Sequence, residues 1–191
     1  MARALSFNKE LIINKSMAVF WHRGYQGTSM RDIGEVTGLN PGSLYGSFGN
    51  KRELFRLVLE NYYQQLTTNI NQSIAGSKNN NTILRDFFYM IINNKDNTEA
   101  KGCLLVNSLL ELANDSEMQA YIAAMFTGIE EMFYWVLVSG QKSGDFNPVL
   151  DARDMAQFLI NSYFGIRVQC MTSQSDEYIT SNINFFLARL E

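Results

Sequence analysis

Apolar residues recur at helical spacing along most of the chain. In the first such stretch they repeat every three to four residues from Leu11 to Trp21, and the pattern stops at Gly24. Two prolines in 191 residues, and few alternating runs of β-branched residues, give little support for strands. The pattern therefore predicts an all-α chain whose first helix covers residues 7–23.

Two short helices follow, each with a recognisable start. Ser29 is a good N-cap, and Asp32 occupies the position of a capping-box acid. Gly38 is expected to end that helix. Asn40 then caps the next one, with Pro41 preset at its first position.

A long fourth helix begins after its N-cap Asn50, and a polar break at 76–81 separates it from five more. We expect those five over 82–93, 102–113, 115–139, 151–170 and 177–190, with a polar loop at 94–101 and a turn-rich loop at 140–149. Three of these helices carry apolar stripes typical of packing seams, namely Met118, Ile122, Met125, Ile129, Met132 and Val136, then Met155, Leu159, Ser162 and Ile166, then Ile179, Ile183, Phe186 and Leu190.

The composition narrows the class of protein. With 46% hydrophobic residues the chain has enough apolar side chains for a packed core, and two cysteines exclude a disulfide scaffold. His22 is the only histidine, and the sequence contains neither a Gly-rich nucleotide loop nor a nucleophile elbow. No uncharged run reaches the ~20 residues that span a bilayer. We therefore expect a cytoplasmic protein that is not an enzyme and needs no metal or cofactor.

The charge is unevenly distributed. Residues 1–56 carry eight basic and four acidic side chains, a net charge of +4, whereas the remaining residues carry −7. A basic head on an acidic body suggests that the head binds a polyanion, although solvated helix faces alone could produce such an excess.

Residues 29–48 have the plan of a helix-turn-helix. We expect Ile33, Val36 and Leu44 to pack between its two helices and Gly38 to permit the tight turn. The second helix would then expose a short polar face suited to the major groove. Thr28, Ser29 and Lys51 lie at helix N-termini, which attract phosphate. The candidate DNA-binding residues are Thr28, Ser29, Arg31, Asn40, Pro41, Gly42, Ser43, Tyr45, Ser47 and Lys51.

The sequence resembles the TetR family of bacterial transcriptional regulators through Phe20, Gly24-Tyr25, Thr28 to Ile33, Gly38, Gly42 to Tyr45, Phe48 and Lys51. The resemblance implies nine helices, with a DNA-binding head over 6–66 and a helical ligand-binding and dimerisation domain over 67–191. It also implies that the last two helices, about 151–190, form a four-helix bundle in a homodimer, and that Tyr45 and Lys51 contact phosphates. Two positions depart from the family pattern: Gly34 replaces the usual alanine, and Gly46 replaces a larger residue.

The predicted function is that of a repressor that a small-molecule effector releases from a palindromic double-stranded DNA operator. Mainly by resemblance, its pocket lies in the acidic body, with Phe87, Cys103, Phe126, Phe133 and Tyr163 as candidate lining residues. Aromatic side chains that simply fill the core would give the same pattern.

Two alternatives stay open. Cys103 lies at a predicted helix N-terminus, where the dipole favours a thiolate, and a similar glycine–cysteine step occurs in TetR-like sensors of electrophiles or oxidants. A small apolar residue that closes a packing point between helices, without reactivity, would also account for Cys103. The second alternative is a helical protein-interaction module without DNA binding, whose binding would lack the salt dependence of phosphate contacts.

Overall fold

The computed structural model describes residues 8–76, 79–93, 102–172 and 175–191, which form nine α-helices and no strands. In chain order they are α1 Lys9–Arg23, α2 Met30–Thr37, α3 Pro41–Phe48, α4 Lys51–Gly76, α5 Asn80–Asn93, α6 Leu104–Glu111, α7 Ser116–Ser143, α8 Ala152–Gln169 and α9 Asp176–Leu187. The all-α prediction is confirmed.

The chain divides into two compact units, Met1–Gln64 and Gln65–Glu191, with the division inside α4. In the first unit, the ring of Phe20 on α1 packs edge-on against Phe55 on α4, with 4.8 Å between centroids. Tyr25, in the loop after α1, packs on the same Phe55 ring. The first unit thus has its own apolar core, completed by the buried side chains Ile33, Leu44, Leu54 and Val58.

In the second unit, α7 packs against α8, α5 and α6, and α5 packs against α9. The stripe predicted over 177–190 is buried at every position, but α9 ends at Leu187, so the predicted end at residue 190 is wrong and Leu190 lies beyond the helix. The stripe predicted on α7 is buried except at Met132, where the neighbouring Phe133 is buried instead. On α8 the buried face contains Leu159 and Ile166 as predicted, but Tyr163 lies inside and Ser162 is only half-buried.

The expected end of α7 at about residue 139 is wrong, because the helix continues to Ser143. Gly140, expected to start a loop, is buried inside the helix. A Cβ atom on Gly140 would lie 2.1 Å from the ring of Phe146, so that ring packs where a side chain would stand. The helix ends at Gly144, whose φ of 81° is left-handed. The predicted loop at 94–101 lies outside the described residues.

Within the described residues, α7 is the one helix long and apolar enough to cross a membrane by length and composition, with a mean hydropathy of 1.3 over its most apolar window. Such a helix is weak evidence for a membrane span, because core helices pass the same test. Eight residues of α7 are buried in the second unit, and its Glu131 forms an ion pair with Arg153 of α8. These contacts fit a core helix.

The start of α5 is held by a carboxylate from the loop after α7. Asp145 accepts hydrogen bonds from the backbone N–H of Asn80 (2.9 Å), the side-chain amide of Asn80 (2.8 Å) and the hydroxyl of Ser143 (2.9 Å). The amide of Asn79 donates to its other oxygen at 3.1 Å. These bonds, led by the one from the Asn80 backbone, favour the ionised form and lower the pKa of Asp145 below its ordinary value.

We expect Asp145→Asn to lower the thermal unfolding temperature at neutral pH, because the amide offers one acceptor oxygen in place of two. In the wild type, the ionised Asp145 carboxylate contributes to the free energy of unfolding above the ordinary Asp pKa near 3.8. This contribution is lost as the pH falls through the lowered pKa of the folded state. The variant should therefore lose less stability in acid than the wild type. Thermal melts between neutral pH and pH 3 measure both effects.

Asp86→Asn, which changes an exposed carboxylate on α5, is the control and should leave the acid dependence unchanged. Identical acid dependence of the wild type and Asp145→Asn would contradict the assignment.

Candidate nucleic-acid interface

The turn between α2 and α3 sets the geometry of the candidate interface. Ile33 on α2 and Leu44 on α3 are fully buried in the first unit. Gly38 ends α2 with φ 75° and ψ 11°, a left-handed conformation that costs a residue with a Cβ about 1–2 kcal/mol. The chain also approaches α2 closely, since a Cβ on Gly34 would lie 2.9 Å from the carbonyl oxygen of Leu39. Gly34, which replaces the alanine usual in the family, thus lies where the turn would crowd a side chain.

Val36 does not pack between the two helices as expected. Its side chain is exposed, while Met30 and Ile33 are the buried residues of α2. Successive residues of a helix are rotated by about 100° about its axis. Val36 therefore lies at the margin of the buried face that is centred between Met30 and Ile33. The buried residues of the two helices are therefore Met30 and Ile33 on α2, and Leu44 and Phe48 on α3.

The outer face of α3 is short and has few large side chains. Asn40 caps the helix by accepting a hydrogen bond from the Ser43 N–H at 2.9 Å, and Pro41 occupies its first turn, as predicted. Asn40, Pro41, Gly42, Tyr45 and Gly46 are exposed, and Ser43 and Ser47 are half-buried. Tyr45, 52% exposed, is the largest side chain on this face.

The N-terminus of α2 is closed by a capping box, as the sequence predicts. The Ser29 N–H donates to Asp32 at 2.7 Å, and the Asp32 N–H donates to the Ser29 hydroxyl at 3.2 Å. Asp32 also forms an ion pair with Arg23 at 2.8 Å. The bonds from Ser29, and secondly the charge of Arg23, hold the pKa of Asp32 below its ordinary value. A phosphate at this helix end would therefore meet a carboxylate that already accepts the Ser29 N–H.

Thr28 lies inside the first unit and not on its surface. Its side chain is buried, and its hydroxyl donates to the carbonyl of Gly24 at 2.7 Å. This bond fastens the loop between α1 and α2. The structure thus gives the Thr28 side chain an internal contact, and we leave it out of the DNA contacts proposed below.

Lys51 begins α4 and contacts the aromatic ring of Tyr25. Its Nζ atom lies 4.3 Å from the centroid of the Tyr25 ring, a cation–π contact, and the N-cap Asn50 accepts a bond from the Glu53 N–H at 3.0 Å. The ring of Tyr25 therefore positions a cation at this helix start. Sequence reasoning noted Tyr25 only as part of a family pattern, because its contact with a residue 26 positions away depends on tertiary packing.

Arg31 and Glu35 form a second feature that sequence reasoning did not resolve. The Nε atom of Arg31 lies 3.2 Å from a carboxylate oxygen of Glu35, one turn further along α2. The two side chains border an open groove of about 390 Å³ that reaches the start of α3 and is also lined by Gly34, Gly38, Leu39, Asn40 and Pro41. Arg31 thus borders the same open groove as the N-terminal end of α3.

Four of the five candidate pocket residues are buried together in the second unit. The Phe87 ring contacts Phe133 and Tyr163 at centroid distances of 5.2 and 5.6 Å, and the Tyr163 hydroxyl lies 4.0 Å from the Cys103 thiol. Phe126 is half-buried and packs edge-on against Phe164. This packing is that of a core, and a ligand pocket here remains a prediction.

Cys103 occupies the N-cap position of α6, so the expected helix N-terminus is present, but its side chain is buried. Lys101, two residues earlier, lies outside the described residues. In the part of the chain that the structure describes, no group of three or more His, Cys, Asp or Glu side chains could hold a metal ion.

These features define the class: a helix-turn-helix with an exposed second helix, followed by a larger helical body. The family described as bacterial regulatory proteins, tetR family, matches residues 12–58. The transcriptional repressor ComR of Escherichia coli is 32% identical over 158 residues, covering 80% of this chain and 74% of ComR. The uncharacterised regulator YezE of Bacillus subtilis is 25% identical over the full length of both chains.

Solved structures agree in fold. The TetR-family regulator CifR, as a cysteine mutant complexed with 26-base-pair operator DNA, matches with a TM-score of 0.87 at 24% identity, over 99% of this chain and all of that one. The reduced form of E. coli NemR matches with a TM-score of 0.82 at 18% identity, over 95% and 96% of the two chains. The chain belongs to the TetR family and is a DNA-binding transcriptional regulator.

We expect Gly46→Ala to stabilise the first unit by about 0.5–1 kcal/mol, because alanine is the better helix former. A Cβ at position 46 would meet no atom within 4 Å, so the fold itself does not require glycine there. Gly38→Ala, at the left-handed turn, should destabilise it by about 1–2 kcal/mol. Urea unfolding of the two variants and the wild type measures both changes, and a loss of stability in Gly46→Ala would contradict the exposed position of this residue.

Proposed function

We propose that this protein is a homodimeric repressor that places one α3 helix per subunit in the major groove of a palindromic operator. The observation that carries the proposal is the tight α2–α3 turn, which leaves a short outer face on α3 without bulky aliphatic side chains. The proposed DNA contacts are Arg31, Asn40, Pro41, Gly42, Ser43, Tyr45, Ser47 and Lys51. Ser29, a predicted contact, is left out because its N–H and hydroxyl both donate to Asp32. We further propose residues 6–66 as the DNA-binding domain and 67–191 as the effector and dimer domain, close to the division at Gln64.

The charge distribution supports the same proposal. The +4 charge of residues 1–56 lies on the segment that contains α1, α2 and α3, while the body is acidic. Contacts to phosphate release counterions, so the affinity must fall steeply as the salt concentration rises. A regulator of this kind needs no catalytic group and acts in the cytoplasm, where its DNA lies.

The experiment that tests the proposal is selection of duplexes from a random library with the purified protein at two salt concentrations. Enrichment of a palindrome, with binding that weakens as salt rises, supports a dimeric DNA-binding repressor. No enriched sequence, or binding insensitive to salt, would overturn the proposal and favour the protein-interaction module.

We expect Tyr45→Phe and Lys51→Ala to weaken binding to the selected duplex without unfolding the protein. Each removes a proposed phosphate contact, so Lys51→Ala should also reduce the slope of log affinity against log salt by about one unit. Fluorescence anisotropy over a salt series measures affinity and slope. Lys142→Ala, an exposed lysine in the second unit, is the matched control. An unchanged affinity in both head variants would contradict the proposed contacts.

The dimer is proposed to form through α8 and α9. Large apolar side chains are exposed on both helices: Phe158 and Val168 on α8, and Tyr178 and Phe185 on α9. Phe185 is 63% exposed, with the guanidinium of Arg189 4.1 Å from its ring centroid. Exposed aromatic side chains are typical of interfaces.

We expect Phe185→Glu to convert the dimer to a monomer, because two carboxylates would be buried across the two-fold axis. The monomer should bind the palindrome about 100-fold more weakly, since the two heads no longer bind together. Sedimentation velocity measures the mass and anisotropy the affinity. Leu110→Glu, a residue of α6 that is 72% exposed, is the control. A dimeric Phe185→Glu variant would contradict the assigned surface.

Release from the operator is proposed to follow a population shift in which an effector moves α4 and changes the spacing of the two heads. The support is chain continuity, since α4 runs without a break from Lys51 to Gly76. Locking the two heads at their DNA-bound spacing by a crosslink should abolish the response to effector. A response that persists would overturn this mechanism.

The second candidate is a thiol-sensing repressor. The observation that favours it is the position of Cys103 at the α6 N-cap, with the Tyr163 hydroxyl near its sulfur. Titration of free thiols, combined with the Cys103→Ser variant, distinguishes a thiol sensor from a repressor that responds to a reversible small-molecule effector. Release by an electrophile in the wild type and not in the variant supports thiol sensing, and equal release in both excludes it.

A further inference from the structure

The start of α6 is held by α8 and by the turn that follows α8. Three residues spaced four apart, Tyr163, Arg167 and Met171, contact the step from Gly102 to Cys103. The Tyr163 hydroxyl lies 4.0 Å from the Cys103 thiol, and the Arg167 guanidinium donates a hydrogen bond to the Gly102 carbonyl oxygen. A Cβ on Gly102 would clash with Sδ of Met171, so this thioether packs where a side chain would stand.

These contacts matter because α6 has a weak start of its own. Its N-cap, Cys103, makes no side-chain capping hydrogen bond, and Gly102 before it has a left-handed φ of 77°. The first backbone bond of the helix runs from the Asn107 N–H to the Cys103 carbonyl at 2.9 Å. Cys103 itself is buried, so its thiol reacts only when this part of the chain opens.

Met171 is also the contact most open to chemical change. It is 47% exposed, whereas the other methionines in the part of the chain that the structure describes are buried or half-buried. Oxidation of a methionine converts a flexible apolar side chain into a polar one and disrupts the packing around it. An oxidant in solution should therefore reach the Met171 thioether before the thioethers inside the helical units.

The sulfoxide would bring a new acceptor to this site. When a hydroperoxide reacts with Sδ, an S–O bond forms and the O–O bond breaks, so the sulfur loses two electrons and the peroxide leaves as the alcohol with its proton. The sulfoxide oxygen accepts hydrogen bonds. Arg167, which contacts Gly102 as Met171 does, is a donor within the same cluster. The oxidised side chain would thus compete with the Gly102 carbonyl for the guanidinium.

We propose that Met171 is an oxidation site whose sulfoxide releases the start of α6 from α8 and exposes the Cys103 thiol. Reduction by methionine sulfoxide reductases would restore the thioether and close the site. The inference goes beyond the proposed function and does not require DNA binding. It gives the buried thiol of the second candidate a route to solvent.

The test uses the full-length chain with Cys170→Ser, so that thiol labelling reports Cys103 alone. The protein is treated with tert-butyl hydroperoxide and then with a thiol reductant, which reverses sulfenic acid or disulfide formation and leaves the sulfoxide. Peptide mass spectrometry locates the added oxygen, and iodoacetamide labels the thiol.

We expect the first oxygen to be added at Met171, ahead of the half-buried methionines Met17, Met90, Met132 and Met155. The rate of Cys103 labelling should then rise about tenfold, because the α6 start opens more often. Hydrogen exchange at the Asn107 amide should accelerate with it, since this amide donates to the Cys103 carbonyl.

Two substitutions separate oxidation from a loss of packing. Met171→Leu keeps an apolar side chain that cannot be oxidised, so peroxide should leave its Cys103 labelling unchanged. Met171→Gln places a carbonyl acceptor there and should raise the labelling without peroxide. Met155→Leu, a half-buried residue of α8, is the matched control and should respond to peroxide as the parent chain does. Thermal melts establish that each variant is folded.

Three results would overturn the inference. The first is oxidation of a half-buried methionine ahead of Met171. The second is unchanged Cys103 labelling in the Met171 sulfoxide or in Met171→Gln. The third is a response to peroxide that persists in Met171→Leu. Because no DNA enters these measurements, failure of the wild type to enrich any duplex would refute the proposed function and not this inference.

Discussion

The burial of Ile33 on α2 and of Leu44 on α3, on either side of the left-handed Gly38, is the constraint on which the interface depends. Both side chains are fully buried, so α2 and α3 have little freedom to rotate about one another. That packing decides which face of α3 remains outside. The outer face is then short, bears two exposed glycines, and follows the turn that ends α2 at Gly38. The close approach of the turn to Gly34 further limits what α2 can carry at that position.

The two units differ in their charge and in their packing. The first unit has the basic excess and a small aromatic core, in which Tyr25 also orients the Lys51 cation. The second unit buries Phe87, Phe133 and Tyr163 among its helices and fastens α5 through Asp145. The proposed dimer would use the exposed aromatic and aliphatic side chains of α8 and α9. DNA binding and dimerisation would then use surfaces that are chemically distinct.

The starts of α2 and α3 could be predicted because their signals are local: Ser29 with Asp32, and Asn40 with Pro41, form the predicted caps. What depends on tertiary contacts could not be predicted. Val36 satisfies the helical period but lies at the margin of the buried face, and α7 continues past residue 139 because Phe146 packs on Gly140. Likewise, Thr28 was a predicted phosphate contact because it precedes a helix N-terminus. Its hydroxyl instead donates a hydrogen bond to the carbonyl of Gly24 inside the first unit.

The central claim is that two copies of the α2–α3 unit occupy successive major grooves on one face of a duplex. Hydroxyl-radical footprinting of the wild-type protein on its selected duplex tests this most directly. We expect two protected segments related by a two-fold axis, one or more helical turns of about 34 Å apart, on the same face of the DNA. A single protected segment without symmetry, or protection on opposite faces, would contradict it.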